Sequence, residues 1–395
     1  METPRSAVHI CILTTAHPID DVRVNHKFAH AFRGAGFRVT WIGPGHAFFD
    51  TTGYNRDGVT FVLCPPNRSR LDRVRTGARV RRIAARITDV DVYYAPEPDS
   101  AQIAVRLASS RSAKVVFDIH EIFHGALLDR LLMGWRLGPI RELVRRRISR
   151  TCSRCSLVVG VSDKVLRPYT ARVVDQMVVR SCAPSWFADG TPASVCDTGR
   201  SSFTVIHGKC AGNRGTMTVL DATAYAIREI PDLRVMMLTS GEVGVDPEAQ
   251  MVLARATERG FSEALDLRRG VPMQNMPDLL RTCDAGLIAY GRGLGVDSLP
   301  NRLFEYMAAG LPVIAPTYAV EIARIVEAEQ CGVLVDSEDP ASIANAMVRL
   351  RRNPALCREM GRRGREAFLA RHNWEAEVGP LLERIRNWFP GRGTA

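Results

Sequence analysis

Apolar residues in the first half of the chain come in short runs separated by longer segments of mixed polarity. Val8–Leu13, Arg38–Ile42, Val59–Leu63, Val92–Tyr94, Val115–Asp118 and Leu157–Val161 predict strands. Helical spacing lies between most of them, as in Val24–Arg33 and Ala101–Ala108. Strands alternating with amphipathic helices predict a parallel sheet covered on both faces. From about Cys182 to Ser202 the periodicity stops; Pro184, Gly190, Pro192 and Gly199 fall here, and the segment predicts a linker. The alternation then restarts. Phe203–His207, Val235–Thr239, Ala285–Ala289, Val313–Ala315 and Gly332–Val335 predict strands. Thr216–Arg228, Pro247–Arg259, Pro300–Ala309 and Pro340–Arg352 predict helices.

The organisation expected is therefore α/β, with two Rossmann-like doubly wound domains facing across a cleft. Residues 1–182 form the first domain, 183–202 the linker and 203–372 the second. An amphipathic helix over Asn373–Phe389, within 373–395, is expected to cross back to the first domain. Ligands of such sheets bind at the carboxyl ends of the strands.

A length of 395 residues suits two or three domains of about 150 residues each. No uncharged apolar run reaches the ~18 residues of a membrane span, and Val8–Leu13 is too short for a signal-peptide core. The expected location is the cytosol. The chain has ten cysteines, and only Cys152 and Cys155 fall in a C-x-x-C spacing, with no partner pair to complete a zinc set. They read as structural thiols in a reducing compartment. The net charge of +11 rests on 49 Arg and 4 Lys. Between Arg68 and Arg86 there are eight Arg and one acid, Asp72, with Val74, Ala78, Ile83 and Ile87 interleaved at nearly helical spacing. A second basic run covers Arg141–Arg154. Either suits anionic lipid headgroups or a phosphorylated acceptor; a solvated helix face fits the same residues.

Two stretches carry candidate chemistry. In Phe203–Gly215 a strand ends at Gly208, Lys209 and Arg214 follow five positions apart, and Gly215 opens a helix. Cations at a strand end beside a helix N-terminus suit a diphosphate. From Gly291 a glycine-rich loop leads through Asp297 and Leu299 to Pro300, Asn301 and Arg302 at a helix start, and the helix runs to Gly310. Backbone amides of such a loop can approach an anion, proline suits the first helical turn, and Gly310 suits an αL cap. Glu305 lies about a turn and a half in, among Phe304, Tyr306 and Met307. A carboxylate so placed needs donors, which sugar hydroxyls supply; a salt bridge to Arg302 is the alternative.

The block Asp297–Pro312 resembles the C-terminal signature of family 4 glycosyltransferases of the GT-B fold, in which a Glu-x7-Glu motif leads into E-Y-M-A-A-G-x-P-V-I. The resemblance implies that Glu305 holds the ribose hydroxyls of a nucleotide. It implies that Asp297, one methylene shorter than the usual Glu, orients the donor sugar. The family's phosphate clamp maps onto Gly208, Lys209, Arg214 and Gly215, with the two cations in exchanged order. Arg269-Gly270-Val271-Pro272 resembles the loop where the base stacks, which puts Val271 beside the nucleotide with Leu299, Pro300, Asn301 and Arg302. In the first domain, Asp118-Ile119-His120-Glu121 resembles the segment where family members place a His facing the transferred sugar. His17 to Arg23, including Asp20, resembles the acceptor-side loop, and Glu121 is placed on the same side; Glu97-Pro98-Asp99 fits a strand-end loop in which Glu97 contacts acceptor hydroxyls, with an acidic pair for acid/base work as the alternative. The catalytic set implied is His120, Asp297, Lys209 and Arg214. The reaction implied is hexosyl transfer from a UDP- or GDP-linked sugar to a hydroxyl acceptor, which is a sugar, a lipid-linked group or a small molecule. It proceeds with retention and without metal or other cofactor, in carbohydrate or glycoconjugate biosynthesis.

Asp89-Val90-Asp91 is a D-x-D, the metal-binding mark of the other large glycosyltransferase fold, but here it precedes a strand of a two-domain βα chain. Gly291-x-Gly-x-Gly lacks the full dinucleotide fingerprint. The basic runs lack interleaved aromatics, so no nucleic-acid partner is expected. For Arg68–Arg86 two readings stay open, a solvated helix face and peripheral contact with the inner face of the membrane. Two other functions fit the same fold: a sugar-nucleotide epimerase or pseudo-glycosyltransferase, and a non-catalytic subunit that binds beside a partner transferase.

Overall fold

The computed structural model describes residues 7–45, 54–120, 138–171, 173, 175–193, 202–296 and 299–392. The chain groups into two units, one from Met1–Ser181 with Glu377–Ala395, the other from Cys182–Ala376.

In the first unit, His9–Leu13 (β1) is buried at every position, as a central parallel strand must be. The strands are β1, Arg38–Pro44 (β2), Tyr54–Arg56 (β3), Val59–Cys64 (β4), Val92–Ala95 (β5), Lys114–Ile119 (β6), Leu157–Gly160 (β7) and Gln176–Val178 (β8). Their order is β3-β4-β2-β1-β5-β6-β7-β8, and only the β3–β4 pair is antiparallel. The order reverses at β1, which has β2 on one side and β5 on the other. That switch opens a crevice at the carboxyl ends of β1 and β5. β3 and β8 are the two outermost strands, each three residues long, too short to show a period in the sequence.

The helical pattern over Val24–Arg33 proves to be two windings. Val22–Ala29 is π-helical and continues into an α-helix, His30–Gly34 (α1). The amides of Asn25 and His26 both reach the Asp21 carbonyl, at 3.0 and 3.3 Å, which widens the turn. Such windings are rare and cluster at functional sites. This one buries Arg23 and Lys27, 9% and 1% exposed. The basic run at 68–86 is a helix, Arg70–Arg86 (α2), capped by the Ser69 hydroxyl. Pro98–Ala108 (α3) starts with a capping box, Glu97 with Ser100, and a proline in its first turn. Gly138–Cys152 (α4) and Asp163–Leu166 (α5) lead into and out of β7. Within this unit the C-terminal residues are tied down by Arg180–Glu377 at 3.1 Å, Arg384–Asp175 at 2.7 Å and Arg392–Asp91 at 2.5 Å.

The second unit has strands Phe203–Lys209 (β9), Leu233–Thr239 (β10), Leu265–Arg269 (β11), Ala285–Leu287 (β12), Val313–Pro316 (β13) and Gly332–Val335 (β14). All pairs are parallel, in the order β11-β10-β9-β12-β13-β14, with the switch at β9 and β12. β11, half-exposed at the sheet edge, has only Leu265 and Leu267 alternating with polar residues, too short a pattern to stand out. The helices are Thr216–Ala226 (α6), Pro247–Glu258 (α7), Met276–Arg281 (α8), Arg292–Gly295 (α9), Asn301–Ala309 (α10), Val320–Glu329 (α11), Pro340–Arg352 (α12) and Pro354–Arg371 (α13). A last helix, Trp374–Asn387 (α14), begins here and ends among the residues grouped with the first unit. Cys182, Ala183, Phe187, Ala188 and Ala193 are buried in this unit's core, so the first half of the segment read as linker is packed structure. Among the described residues, no helix is long and apolar enough to cross a membrane.

Candidate functional site

Each unit gathers its polar side chains at the carboxyl ends of the strands beside its switch point. In the second unit the gathering begins with a bulge. The register of β9 against β10 slips between Met236 and Met237, which pairs Gly208 rather than His207 with Met237. The two carbonyls at the slip are both met from α10. Arg302 Nη1 donates to the His207 carbonyl at 2.6 Å, and the Tyr306 hydroxyl donates to the Ile206 carbonyl at 3.2 Å. Gly208 has φ 79°, and a Cβ there would come within 3.2 Å of the Arg302 guanidinium. α10 is thus fastened to the end of β9 by residues on either side of Glu305. Glu305 itself is half-buried. Pro300 caps α10 without a side-chain hydrogen bond, and its first turn holds no acid. The amide end of the helix therefore keeps its positive character for an anion.

Lys209 is exposed and Arg214 half-buried, and neither is in an ion pair with a described residue. The loop between them closes on Thr216, whose hydroxyl bridges the Ala211 amide and carbonyl, both at 3.0 Å. Beneath lies His207, fully buried, with its Nδ1 unpartnered; burial first, then the cations Arg302 and Arg214, push its pKa down to about 3. It is neutral, so the positive charge of the loop belongs to Lys209 and Arg214. Val271 follows β11 and Leu299 precedes α10; both are half-buried against the core. Asn301 is half-buried at the start of α10. Arg302 is 8% exposed, donates from Nη1 to the β9 carbonyl and lies 5.5 Å from the Tyr290 ring centre, which fixes it against the base of the loop. The loop after β12 is braced by Tyr318 and Ser337, whose hydroxyls reach the Tyr290 carbonyl at 2.6 and 2.9 Å, and by Glu338, which accepts from the Arg292 amide at 2.7 Å. Asp297 lies outside the described residues.

In the first unit the gathering is at β1, β5 and β6. Asp118, next to last in β6, has no exposure. It accepts from Arg23 Nε at 2.8 Å, Arg23 Nη2 at 2.7 Å and the Tyr94 hydroxyl at 2.7 Å. Burial, the largest single influence, raises the carboxyl's pKa, but the Arg23 charge and hydrogen bonds and the Tyr94 hydroxyl together outweigh it and hold Asp118 low. Two residues on, the His120 ring meets the His17 ring edge-on, centroids 4.9 Å apart. Their pKa values are pushed apart. Burial takes His120 down to about 4. Burial would lower His17 too, but the Asp21 carboxylate at 2.9 Å and the charges of Glu97 and Asp118 raise it above its ordinary value. At neutral pH His120 is an uncharged imidazole.

Glu97 and Arg23, both expected to face an acceptor, are instead the scaffold behind the loop. Glu97 is 2% exposed and accepts from the Thr14 hydroxyl at 2.5 Å, the amides of Ala16 and His17 at 3.0 and 3.2 Å, and the Ser100 hydroxyl at 2.8 Å. No lone pair is left for a sugar hydroxyl. Arg23 is committed to Asp118 and the Val179 carbonyl. Asp20 is exposed, and Glu121 lies outside the described residues. The sequence reasoning missed Asp118, Asp21 and Tyr94. An arginine flanked by Val22 and Val24 was the available signal, since a buried cation demands an acid. In the D-x-D, Asp89 is bound to Arg38 and His9, and Asp91 accepts from the His9 amide at 2.9 Å and from Arg392.

Comparison with known proteins agrees with this layout. Residues 204–353 match the family described as "Glycosyl transferases group 1", and residues 22–179 match "Glycosyltransferase Family 4". The chain is 28% identical, over 59% of its own length and 64% of the relative's, to phosphatidyl-myo-inositol mannosyltransferase of Mycobacterium leprae. It is 27% identical, over 40% of its length and 43% of the relative's, to the GDP-mannose-dependent alpha-(1-6)-phosphatidylinositol monomannoside mannosyltransferase of Mycolicibacterium smegmatis. These matches span less than two thirds of either relative. In fold, the chain is similar to sucrose-phosphate synthase of Thermosynechococcus elongatus, with a TM-score of 0.76 at 15% identity, covering 97% of this chain and 99% of that one. It is similar to Anabaena HepE in complex with UDP, with a TM-score of 0.70 at 14% identity, covering 96% and 100%. The two family matches fall one in each unit, and the chain belongs to the family 4, or group 1, glycosyltransferases of the GT-B fold.

Proposed function

We propose that the protein moves a hexosyl group from a nucleoside diphosphate sugar to a hydroxyl acceptor, with retention and without metal. One observation carries the reading. The end of β9, with Lys209 and Arg214 unpaired by any described carboxylate, is bolted to the uncapped N-terminus of α10, and Glu305 lies on that same helix. Lys209, Arg214 and the α10 amides take the diphosphate, and Glu305 takes the ribose hydroxyls. The leaving diphosphate gains charge as the bond from the anomeric carbon to oxygen breaks, and these fixed groups stabilise it. The transition state is oxocarbenium-like. His120, neutral at its pKa of about 4, adds no repulsion toward positive charge developing on the sugar. The departing phosphate oxygen takes the acceptor's proton on the face where the new bond forms. Asp297 orients the sugar.

The nucleoside is uridine or guanosine. Anabaena HepE is described with UDP and with UDP-glucose, and the Mycolicibacterium smegmatis relative is described as GDP-mannose-dependent. The acceptor lies against His17 and Asp20. Peripheral membrane contact falls to α2, where Leu71 and Val74 are 58% and 70% exposed beside exposed Arg75, Arg79 and Arg82. Flotation with anionic vesicles should drop on neutralising Arg79, Arg81 and Arg82.

The test is calorimetric titration of UDP and of GDP into wild type and Glu305→Ala. One nucleotide should bind wild type, and the variant should bind it at least about tenfold more weakly with its melting temperature kept. Unchanged affinity would remove Glu305 from the nucleotide site. Release of free nucleoside diphosphate only when an acceptor is present separates transfer from epimerisation, and donor hydrolysis by the purified chain separates an enzyme from a non-catalytic subunit.

A further inference from the structure

We infer that the first unit carries a separate phosphate-binding site in the groove between α3 and α4, independent of the donor reading above. The groove has a volume of about 190 Å³ and is lined by Arg106, Arg147, Arg150 and Arg154, with Gln102 and Thr151 between them. The lining follows from helical spacing. Gln102 and Arg106 stand one turn apart on α3. Arg147 and Arg150 share the facing stripe of α4, and Arg154 extends it in the turn after the helix. A hydrogen bond joins the two stripes, donated by Arg147 Nη2 to the uncharged Gln102 side-chain oxygen at 2.7 Å.

None of the four guanidinia meets a carboxylate among the described residues. The acids nearby are spent elsewhere. Glu142, the one acid of α4, is held by Arg145 and Arg146, each at 2.6 Å. Asp99 of α3 is held by Arg73 at 2.8 Å and by the Thr15 hydroxyl at 2.6 Å. So α4 pairs two of its arginines and leaves the groove-facing ones open. The groove lies where α3 and α4 end. A helix C-terminus favours cations, which lets four of them collect without an acid. It supplies no planar bidentate partner, so the forks keep their preference for an oxyanion.

Arg154 stands just before β7 and Arg106 ahead of β6, at the amino edge of the sheet. The His17–His120 cluster stands at the carboxyl ends, so the two places are distinct. The ligand is a phosphate monoester or diphosphate, carried by a small soluble molecule or by a lipid headgroup.

The experiment uses the full chain without added nucleotide, and a Lys209→Gln/Arg214→Gln variant accounts for any binding at the second unit's phosphate loop. Inorganic pyrophosphate is titrated calorimetrically, and flotation is measured with phosphatidylcholine vesicles with and without phosphatidylinositol 4-phosphate. Wild type is compared with Arg106→Gln/Arg150→Gln and Arg106→Lys/Arg150→Lys. All these positions are exposed, and circular dichroism verifies the fold. The expected result is binding of at least one probe that weakens about tenfold or more in the Gln variant, recovers in part in the Lys variant and falls with salt. Loss for pyrophosphate assigns a soluble ligand; loss for vesicles alone assigns a headgroup. Equal behaviour of wild type and the Gln variant with both probes, or no binding by wild type, overturns the site. The readout is binding, so failure of the transferase reading leaves the result intact.

Discussion

Replacing Gly215 with Ala isolates the geometry on which the phosphate loop depends. Gly215 has φ 75°, and a Cβ there would lie 1.8 Å from the Ala289 carbonyl oxygen and 2.9 Å from its carbon. Carbon and oxygen ordinarily approach to about 3.3–3.6 Å, so the overlap is roughly 1.5 Å. It cannot be relieved by a rotamer, because Ala289 is fully buried backbone just beyond β12. The left-handed conformation costs about 1–2 kcal/mol for a residue with a Cβ, and overpacking about 1–3. A loss of about 2–5 kcal/mol lowers the melting temperature of a unit this size by roughly 4–20 °C. Relief must part the Lys209–Arg214 loop from the end of β12, so affinity for the nucleoside diphosphate should fall about tenfold or more. Gly212→Ala, in the same loop, is the control. Nothing lies within 4 Å of its added Cβ, and stability should change by less than about 0.5 kcal/mol. Scanning calorimetry and nucleotide titration on both variants decide the matter. Indistinguishable melting and affinity would refute the claim that the close approach at Gly215 sets the loop.

Acid should expose the buried histidine. His120 has its pKa lowered to about 4 from an unfolded value near 6.5. Between those values the unfolded chain holds the proton and the folded one does not. Its share of stability is thus complete above pH 6.5 and lost as pH falls toward 4, about 3 kcal/mol in all. His17, raised and so working in the opposite sense, is common to wild type and His120→Asn. Urea unfolding at pH 7, 5.5 and 4.5 should show wild type losing more than the variant; parallel curves would contradict this. Arg23→Met strands the buried Asp118 charge and should cost about 3–5 kcal/mol, with part regained in Arg23→Met/Asp118→Asn. A double mutant no more stable than the single would argue against the pair. Glu97→Gln turns an amide donor toward hydroxyl and amide donors and should cost about 1–3 kcal/mol. Hydrogen exchange at Ala16 and His17 should quicken, and unchanged rates would separate Glu97 from the loop.

The alternation of apolar runs with helical stripes was enough to place the central strands and to imply two parallel sheets, because those strands are buried at all or nearly all positions. The spacing of Gly208, Lys209, Arg214 and Gly215, and of Pro300, Glu305 and Gly310, was likewise local and legible, since each residue marks a strand end, a helix start or a cap. Edge strands such as β3 and β11 left no such trace, being short or half-exposed. Only the tertiary structure decided what each charge does. Arg23 and Asp118 are 95 positions apart, Glu97 and Thr14 are 83 apart, and Arg302 and the His207 carbonyl are 95 apart. Period encodes which face is buried; it does not encode which strand ends the switch points bring together. So the sequence placed Arg23, Glu97 and Arg302 in the loops and first helical turns beside the strand ends, and long-range pairing made them supports for His120, His17 and Glu305.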